Sequence, residues 1–372
     1  METQSRTALQ GLIKTLQEID ERWSGPEWNL HSAEDVTGSH RALMHILEAS
    51  LVGFFEQDAA RPDMRRITTP SRKLTGDNPD AIYFDAPVSA EHSYLVRGSM
   101  QDAAYFSVTI EEGTSEGHMA TNTAGVLNDT EIDIDAQGNF TLYLGGEQRT
   151  RNWLALTAES SRITTRHYFE TEHPAALDSA LEPRMSIECL DSEGPAKPSD
   201  DASVARGIAR VSNVMRSRTL EMPPLANSEP PPFVALTPNE FPPPVVPGDF
   251  GFAAADAHYS MAPFFINADE ALVITGRWPE CRFANVCLWN RFQQTLDYRS
   301  RSVSLNRRQT VVDSEGNFQL VLAHENPGTP NWLDTEGQLF GLVFWRYFLV
   351  DGEVVTPTAK VVKLADLVKG DE

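Results

Sequence analysis

The feature that most limits what this chain can fold into is a repeat within the chain itself. The segment DAQGNFTLYLGGEQRTRNWL at residues 135–154 returns as DSEGNFQLVLAHENPGTPNWL at residues 313–333. Upstream, the stretch that begins YFDAP at Tyr83 returns as YSMAP at Tyr259, at a similar spacing. Repetition on this scale predicts two domains of similar topology.

Short runs rich in β-branched and aromatic residues, such as AAYFSVTI and FGLVFWRYF, make up most of both copies, and Gly, Pro, Asp and Asn separate them. These runs predict strands. Apolar residues at helical spacing predict a first helix through Leu9 to Trp23, a second after the capping-box pattern at Ser32, and a third over about 203–220. The predicted fold class is therefore α+β and β-dominated, with two tandem antiparallel β-sandwich-like domains and added helices.

These patterns divide the chain of 372 residues into four parts. A Pro-rich stretch that also carries apolar residues follows the third helix, which favours an extended connector held against a surface over a free linker. The predicted parts are an N-terminal helical segment 1–66, a first sandwich-like domain 67–192, a helix plus Pro-rich connector 193–252, and a second sandwich-like domain 253–372.

The formal net charge of −22, from 53 acidic and 31 basic residues, opposes binding to nucleic acid and to anionic membranes. The chain shows neither a signal-peptide pattern nor an apolar run long enough to span a membrane. A soluble, cytoplasmic protein is the expectation. The three Cys residues have no metal-ligand spacing, and apolar packing is the role expected for them.

Several residues occur in both copies, which favours a structural role. Asp135 and Gly138, like Asp313 and Gly316, fit a hairpin turn. Trp153 and Trp332 each follow an Asn and are candidates for an anchor or a binding surface. Arg166 and Arg346 stand within apolar strands, where a buried acid or a ligand would have to face the charge.

Other polar residues belong to one copy only. In GDNPDAIYFDAP, Asp80 has a counterpart in Asp256, but Asp77 and Asn78 align with the apolar stretch FAAA. A duplicate that has lost a polar loop is what an active half beside a supporting half would show. Asp77 and Asn78 are therefore candidates for a functional site.

The segment 111–125 also has little counterpart in the second copy, and it predicts a polar loop that carries His118. We predict Asp77, His118 and Arg151 as catalytic residues, because a His near an Asp and an Arg suits general acid–base chemistry. The predicted substrate-binding residues are Asn78, Trp153, Arg166, His258, Trp332 and Arg346. No nucleotide, flavin or phosphate motif and no metal-ligand spacing is present, so neither a cofactor nor a metal is expected.

The stretches GDNPDAIYFDAPVSAEHSYLVRGSMQDAAYFSVTI and GNFQLVLAHENPGTPNWL, together with FWRYF, resemble the bacterial families called domain of unknown function 1214 and its companion 1254. The resemblance runs over about residues 75–359. It implies two β-sandwich-like domains with helical additions. It supplies neither a reaction nor catalytic residues.

The sequence leaves three functions open. We favour an enzyme that carries out cofactor-independent acid–base chemistry, of lyase, hydratase or isomerase type, on a small and largely apolar molecule. The alternative is a non-catalytic module that binds a small molecule or carbohydrate. In a third interpretation, the connector and the first helix embrace a neighbour in a homo-oligomer. An enclosed crevice with convergent polar groups would favour the enzyme, and an open aromatic face would favour the binding module.

Overall fold

The computed structural model describes residues 1–222, 229–248, 254 and 256–368. It contains four β-sheets in two similar halves, with a few helices packed beside them. The predicted α+β, β-dominated class and the internal duplication are confirmed. The predicted start of the second domain, and most of the FAAA segment aligned with GDNP, lie outside the described residues.

Three of the four helices lie where the sequence pattern predicts them. A capping box at Ser32 starts the second, and another at Asp200 starts the third. A π-helical turn, Leu51–Phe55, continues directly from the second helix. The helices are α1 Gln4–Arg22, α2 Ala33–Ser50, α3 Asp201–Ser217 and the short α4 Leu364–Val368.

The first half holds nine strands in two sheets. They are β1 Arg65–Arg66, β2 Ala81–Pro87, β3 Tyr94–Ser99, β4 Tyr105–Glu112, β5 Asn122–Asn128, β6 Asn139–Leu144, β7 Trp153–Leu154, β8 Ser160–Tyr168 and β9 Ser186–Cys189. One sheet has the order β1-β2-β8-β4-β5, and the other has the order β7-β6-β3-β9. Apolar side chains of the two sheets pack into one core between them.

The second half repeats this arrangement with eight strands. They are β10 Ala257–Phe265, β11 Glu270–Arg277, β12 Phe283–Trp289, β13 Ser304–Asn306, β14 Asn317–Ala323, β15 Trp332–Asp334, β16 Phe340–Phe348 and β17 Thr358–Lys363. The sheet orders are β10-β16-β12-β13 and β15-β14-β11-β17. Apart from β1, which has no counterpart among the described strands of the second half, these orders match those of the first half.

The register of the two halves is also the same. Arg166 lies opposite Tyr83 and Ser107 in the first half. Arg346 lies opposite Tyr259 and Asn285 in the second. Each residue on these strands of the first half therefore has an equivalent position in the second half.

The repeated turn sequences form the predicted hairpin turns. Gly138 has φ 80° and Gly316 has φ 84°, a left-handed conformation that glycine adopts without steric cost. The carboxylate of Asp135 accepts hydrogen bonds from two following backbone N–H groups, and Asp313 does the same. These four residues are structural.

The Pro-rich connector lies along β10, as its apolar residues predict. Val234 forms a bridge to Met261, and Val245 forms a bridge to Tyr259. Phe233 and Val234 are buried, while Leu236 is exposed. The described part of the connector is thus held on the free edge of one sheet.

The segment 111–125 is shorter as a loop than the sequence predicts. Glu111 and Glu112 belong to β4, and Asn122 begins β5, so only the residues between them connect the two strands. The Glu111 side chain is fully buried rather than exposed in a loop. Glu111 can lie inside the buried strand β4 because the guanidinium of Arg166 compensates the charge of its carboxylate.

Candidate functional site

The two halves meet through the outer faces of the β2-β8-β4 and β10-β16-β12 sheets, and their polar contacts are reciprocal. Asp80, ahead of β2, accepts a hydrogen bond from Asn306 Nδ2 in the second half, at 3.3 Å. Its repeat counterpart Asp256 accepts one from Asn128 Nδ2 in the first half, at 3.0 Å, and one from the Tyr105 hydroxyl at 2.7 Å. The repeated Asp residues therefore hold the two halves together.

The GDNP segment of the first half contributes further contacts to this interface. The Asp77 carboxylate accepts hydrogen bonds from the backbone N–H of Thr295 at 2.8 Å and from its hydroxyl at 2.5 Å. Asn78 and Asn285 exchange amide hydrogen bonds at 3.2 and 2.8 Å. Trp289 Nε1 donates to the Asp77 carbonyl. These contacts give Asp77 and Asn78 a structural role across the interface.

Arg166 lies at the centre of the first-half face and is buried. Its guanidinium donates to Thr109 Oγ1 at 2.7 Å and lies 3.4 Å from a carboxylate oxygen of Glu111. Burial raises the pKa of Glu111, and the positive charge of Arg166 opposes that rise. Of the two expected partners, a buried acid or a ligand, Arg166 has an acid, but this acid is not repeated, because Trp289 takes the place of Glu111 in the second half.

Arg346 takes the equivalent position in the second half, but its surroundings differ. Its guanidinium donates to Cys287 Sγ and to the Gly76 carbonyl, each at 3.0 Å. It also lies over the rings of Phe344 and Trp289, at 4.2 and 5.0 Å from their centroids. Within the described ranges no carboxylate oxygen lies within 4.0 Å of this guanidinium.

A cavity of about 150 Å³ lies between the first-half face and the helices. It extends from the Gly76–Asp77 backbone, past β2 and β8, to the π-helical turn and α3. It is lined by Ala49, Val52, Gly53, Phe54, Arg65, Arg66, Ile67, Thr68, Leu74, Thr75, Gly76, Asp77, Tyr83, Asp85, Arg162, Thr164, Arg166, Val214 and Arg218.

Arginines outnumber carboxylates on this wall, five to two. Arg162 pairs with Asp85 at 2.5 Å and also donates to the Gly53 carbonyl. Arg65 donates to the Val52 and Gly53 carbonyls. Carbonyl groups in the last turn of a helix have no hydrogen-bond partner within the helix, and here two of the arginines donate to them. The wall is thus rich in arginine, although Arg66 and Arg166 also pair with two acids that do not line the cavity, Glu182 and Glu111.

Two polar atoms on the wall, buried and in the described part of the chain, have no hydrogen-bond partner. They are Arg162 Nε and Thr164 Oγ1, although the Thr164 hydroxyl is still near enough to Glu111 to help lower the pKa of that carboxyl. Two more lie nearby on β4, namely Glu111 Oε2 and Ser107 Oγ. A buried polar atom without a partner costs about 1–3 kcal/mol, so such atoms mark places where a ligand or water completes the structure.

Asp77 is the one predicted catalytic residue on the cavity wall. Burial raises its pKa above the usual range, while Lys73 and the hydrogen bonds from Thr295 oppose the rise. Burial also raises the pKa of Tyr83, which borders the same end of the cavity. Burial of this kind favours the protonated form of a carboxyl group.

The structure does not bring the other two predicted catalytic residues to Asp77. His118 is exposed in the β4–β5 loop. Arg151 is exposed and pairs with Asp133 at 3.0 Å. Neither lines the cavity, because both lie on parts of the chain that extend away from the interface.

Trp153 and Trp332, predicted as substrate-binding, occupy equivalent structural positions. Each indole Nε1 donates to a backbone carbonyl, that of Gly145 at 2.9 Å and that of Ala323 at 3.1 Å. Both side chains are half-buried and lie away from the cavity. The paired contacts account for their repetition in the sequence.

His258, also predicted as substrate-binding, is half-buried on β10 and does not line the cavity. Burial lowers its pKa, and its Nδ1 has no hydrogen-bond partner. Of the predicted binding residues, Arg166 borders the cavity and Arg346 lies next to it, through Gly76. Asn78 lies in the interface.

Most of the residues that line the cavity were not predicted from the sequence. Arg162 and Thr164 alternate with Arg166 along β8, so one face of this strand carries three polar side chains in succession. In the second copy Leu342 and Phe344 stand at the positions of Arg162 and Thr164, and this difference was the signal available in the sequence. Arg65 and Arg218 gave no signal, because their positions depend on how the helices pack.

A duplicated, β-rich fold of two sandwiches with added helices is the class that the structure defines, and solved structures share it. The chain is similar to an uncharacterised protein from Burkholderia cenocepacia, with a TM-score of 0.81 and 25% identity over 97% of this chain and 99% of that chain. It also matches a protein from Vibrio parahaemolyticus, with a TM-score of 0.52 and 11% identity over 87% of this chain and 100% of that chain. The second likeness shows the fold alone.

No family model and no curated protein matches the chain. The resemblance to the domain of unknown function 1214 family therefore stays a prediction. Among the described helices, none is both long and apolar enough to cross a membrane.

Proposed function

We propose that the cavity binds a small, largely apolar molecule that carries one anionic group, such as a carboxylate. The observation that carries this proposal is the arginine-rich wall with the unpartnered Arg162 Nε and Thr164 Oγ1. A carboxylate accepts several hydrogen bonds at once and would satisfy both donors.

The apolar part of the ligand follows from the remaining wall. Val52, Phe54, Ile67, Leu74 and Val214 face the same space. A cavity of about 150 Å³ with an apolar lining holds a molecule about as large as benzene. A short-chain or aromatic carboxylate matches both the size and the chemistry.

A thermal-shift series on the full chain tests this proposal. Benzoate, phenylacetate and hexanoate are compared with their uncharged amides. We expect the carboxylates to raise Tm in a concentration-dependent way, since a ligand that binds only the folded state stabilises it. The amides should bind at least about tenfold more weakly, because a hydrogen bond to a charged group contributes about 1.5–3 kcal/mol.

Two neighbouring substitutions supply a matched control. Thr164→Val removes the hydroxyl on the cavity wall, whereas Thr165→Val removes a buried, equally unpartnered hydroxyl on the opposite face of β8. Thr164→Val should weaken carboxylate binding about fivefold to tenfold, and Thr165→Val should leave it unchanged. Equal affinities for acid and amide, or equal losses in both variants, would contradict the proposal.

An acid–base enzyme is the second candidate function, and Asp77 favours it. Asp77 is one of the residues that line the cavity, burial raises the pKa of its carboxyl, and Arg166 lies on the same wall to stabilise negative charge. For any ligand found above, product analysis after incubation separates the two functions. Conversion that Asp77→Asn abolishes while binding persists would indicate the enzyme, and binding without conversion would indicate the binding protein.

A further inference from the structure

Three side chains of different chemistry, none of which lines the cavity, lie together at the end of the edge strand β9. His92 Nδ1 lies 2.7 Å from Asp191 Oδ1, and Cys189 Sγ lies 3.3 Å from the same oxygen. The three potential ligand atoms all lie within 4.8 Å of one another. In the described part of the chain no other group of three such residues comes as close.

The strand register explains why these residues meet. Cys189 is paired with Tyr94, and the antiparallel ladder continues with Leu190, whose N–H donates to Ser93. His92 therefore faces Asp191, and Cys189 and Asp191, two residues apart, lie on one side of the strand. The ladder itself gathers a nitrogen, a sulfur and an oxygen donor onto one face.

The second half shows what the fold requires at this position. There, Leu272 takes the place of Tyr94 and pairs with Val361, and Glu270 pairs with Lys363. Glu270 therefore corresponds to His92 and Lys363 to Asp191, and the two form an ion pair at 3.1 Å. Val361 corresponds to Cys189. An ion pair and an apolar residue suffice for the scaffold, so the Cys–His–Asp set is specific to the first half.

We propose that His92, Cys189 and Asp191 form a binding site for a divalent transition metal of the zinc type. Imidazole, thiolate and carboxylate are the side chains that bind zinc, and three protein ligands leave a fourth position for water or a substrate. Tetrahedral bonds of about 2.0–2.3 Å place ligand atoms about 3.3–3.6 Å apart. The Cys189–Asp191 distance already matches, and the His92–Asp191 distance has to widen by less than 1 Å.

A second layer of contacts orients the acid ligand. Asp191 Oδ2 accepts hydrogen bonds from the backbone N–H and from the hydroxyl of Ser93, both at 2.8 Å. This leaves Oδ1 directed at His92 and Cys189. Such outer contacts hold metal ligands in place and strengthen binding. The site also lies at the surface, where an ion can enter, since Asp191 is exposed.

Cobalt serves as the probe, because a cobalt–thiolate bond gives a charge-transfer absorption that carboxylates alone do not. The full chain is titrated with Co²⁺, and Zn²⁺ is then added as competitor. We expect one Co²⁺ per chain with the thiolate band, and loss of the band when Zn²⁺ displaces it. Cys189→Ser should abolish the band, and His92→Ala should weaken binding at least about tenfold.

Cys281→Ser is the matched control, since Cys281 is a half-buried thiol in the second half with no His or Asp ligand set. It should bind Co²⁺ as the wild type does. Circular dichroism and the Tm without metal check that Cys189→Ser is folded, and Asp191→Asn provides a second variant. The proposal fails if no stoichiometric uptake occurs, if uptake is weak and carried by surface carboxylates only, or if the band survives in Cys189→Ser.

Discussion

The two buried arginines show how one scaffold accommodates different chemistry. In the first half, Arg166 donates to Thr109 and pairs with Glu111. In the second half, Arg346 contacts Cys287 and the ring of Trp289. These two residues occupy the strand positions that Thr109 and Glu111 occupy in the first half. One buried charge is balanced by a carboxylate, and the other by sulfur, a carbonyl and aromatic rings.

The neighbouring positions follow the same division. Thr164 in the first half corresponds to Phe344 in the second, and Arg162 corresponds to Leu342. Phe344 and Leu342 fill their space with apolar atoms and belong to the interface core. Polar side chains at the first-half positions leave a cavity instead. The comparison therefore accounts for the cavity on the first-half face, which is the site of the binding that we propose.

Removing Glu111 is the most direct way to break this comparison. We expect Glu111→Ala to lower the free energy of unfolding by about 3–5 kcal/mol, because it takes away one partner of a buried ion pair. Urea denaturation measures the change. Glu116→Ala, in the exposed loop that follows, should change stability by less than about 0.5 kcal/mol. A loss below about 1 kcal/mol for Glu111→Ala would mean that Arg166 tolerates apolar surroundings as Arg346 does.

Because Asp80 is an acid buried at the interface, we expect the free energy of unfolding to depend on pH. Burial raises its pKa to about 7, although hydrogen bonds from Asn285 and Asn306 oppose the rise. The unfolded value is about 3.9, so the folded state binds more protons between these values, and this contribution to stability falls as pH rises from about 4 to about 7. The loss amounts to at most about 4 kcal/mol at about 1.4 kcal/mol per pKa unit.

Urea denaturation across that pH range, for the wild type and for Asp80→Asn, isolates this group. Relative to the wild type, Asp80→Asn should gain stability as pH rises through the window, and the difference should level off above pH 7 because Asp80 is then ionised in both states. Parallel curves for the two proteins would show that Asp80 is not the group responsible.

The repeated asparagines sharpen the comparison, because here the two halves should behave alike. Asn152 has φ 53° and Asn331 has φ 58°, and each side chain bridges two backbone segments. Replacement by Ala should cost about 2–3 kcal/mol at either site, from left-handed strain of about 1–2 kcal/mol and lost hydrogen bonds of about 1 kcal/mol. Replacement by Gly should avoid the cost of the strain but still lose the hydrogen bonds, so it should be less destabilising than replacement by Ala. Thermal unfolding of the four variants measures this, and a large effect in one half alone would mean that the two sites are not equivalent.

Some parts of this result could be predicted from sequence, since they depend on local pattern. The strands, the helix starts and the turns at Gly138 and Gly316 follow from residues close together in the chain. The duplication also indicated that repeated residues are structural, as the paired contacts of Trp153 and Trp332 now illustrate. The sequence singled out Asp77 as a residue of one copy only, but the partner of its carboxylate, Thr295, lies in the other half.

Sequence by itself thus determined the fold class, the two-part organisation and which polar residues distinguish the halves. Tertiary structure alone decided where those residues lie. The cavity needs α3, the π-helical turn and β8 to converge, and the Cys–His–Asp cluster needs β3 to pair with β9. Contacts between such distant segments depend on packing and register, which no local pattern of hydrophobicity encodes. For that reason His118 and Arg151, credible from residue type, lie on the surface, while Arg162 and Thr164 line the cavity.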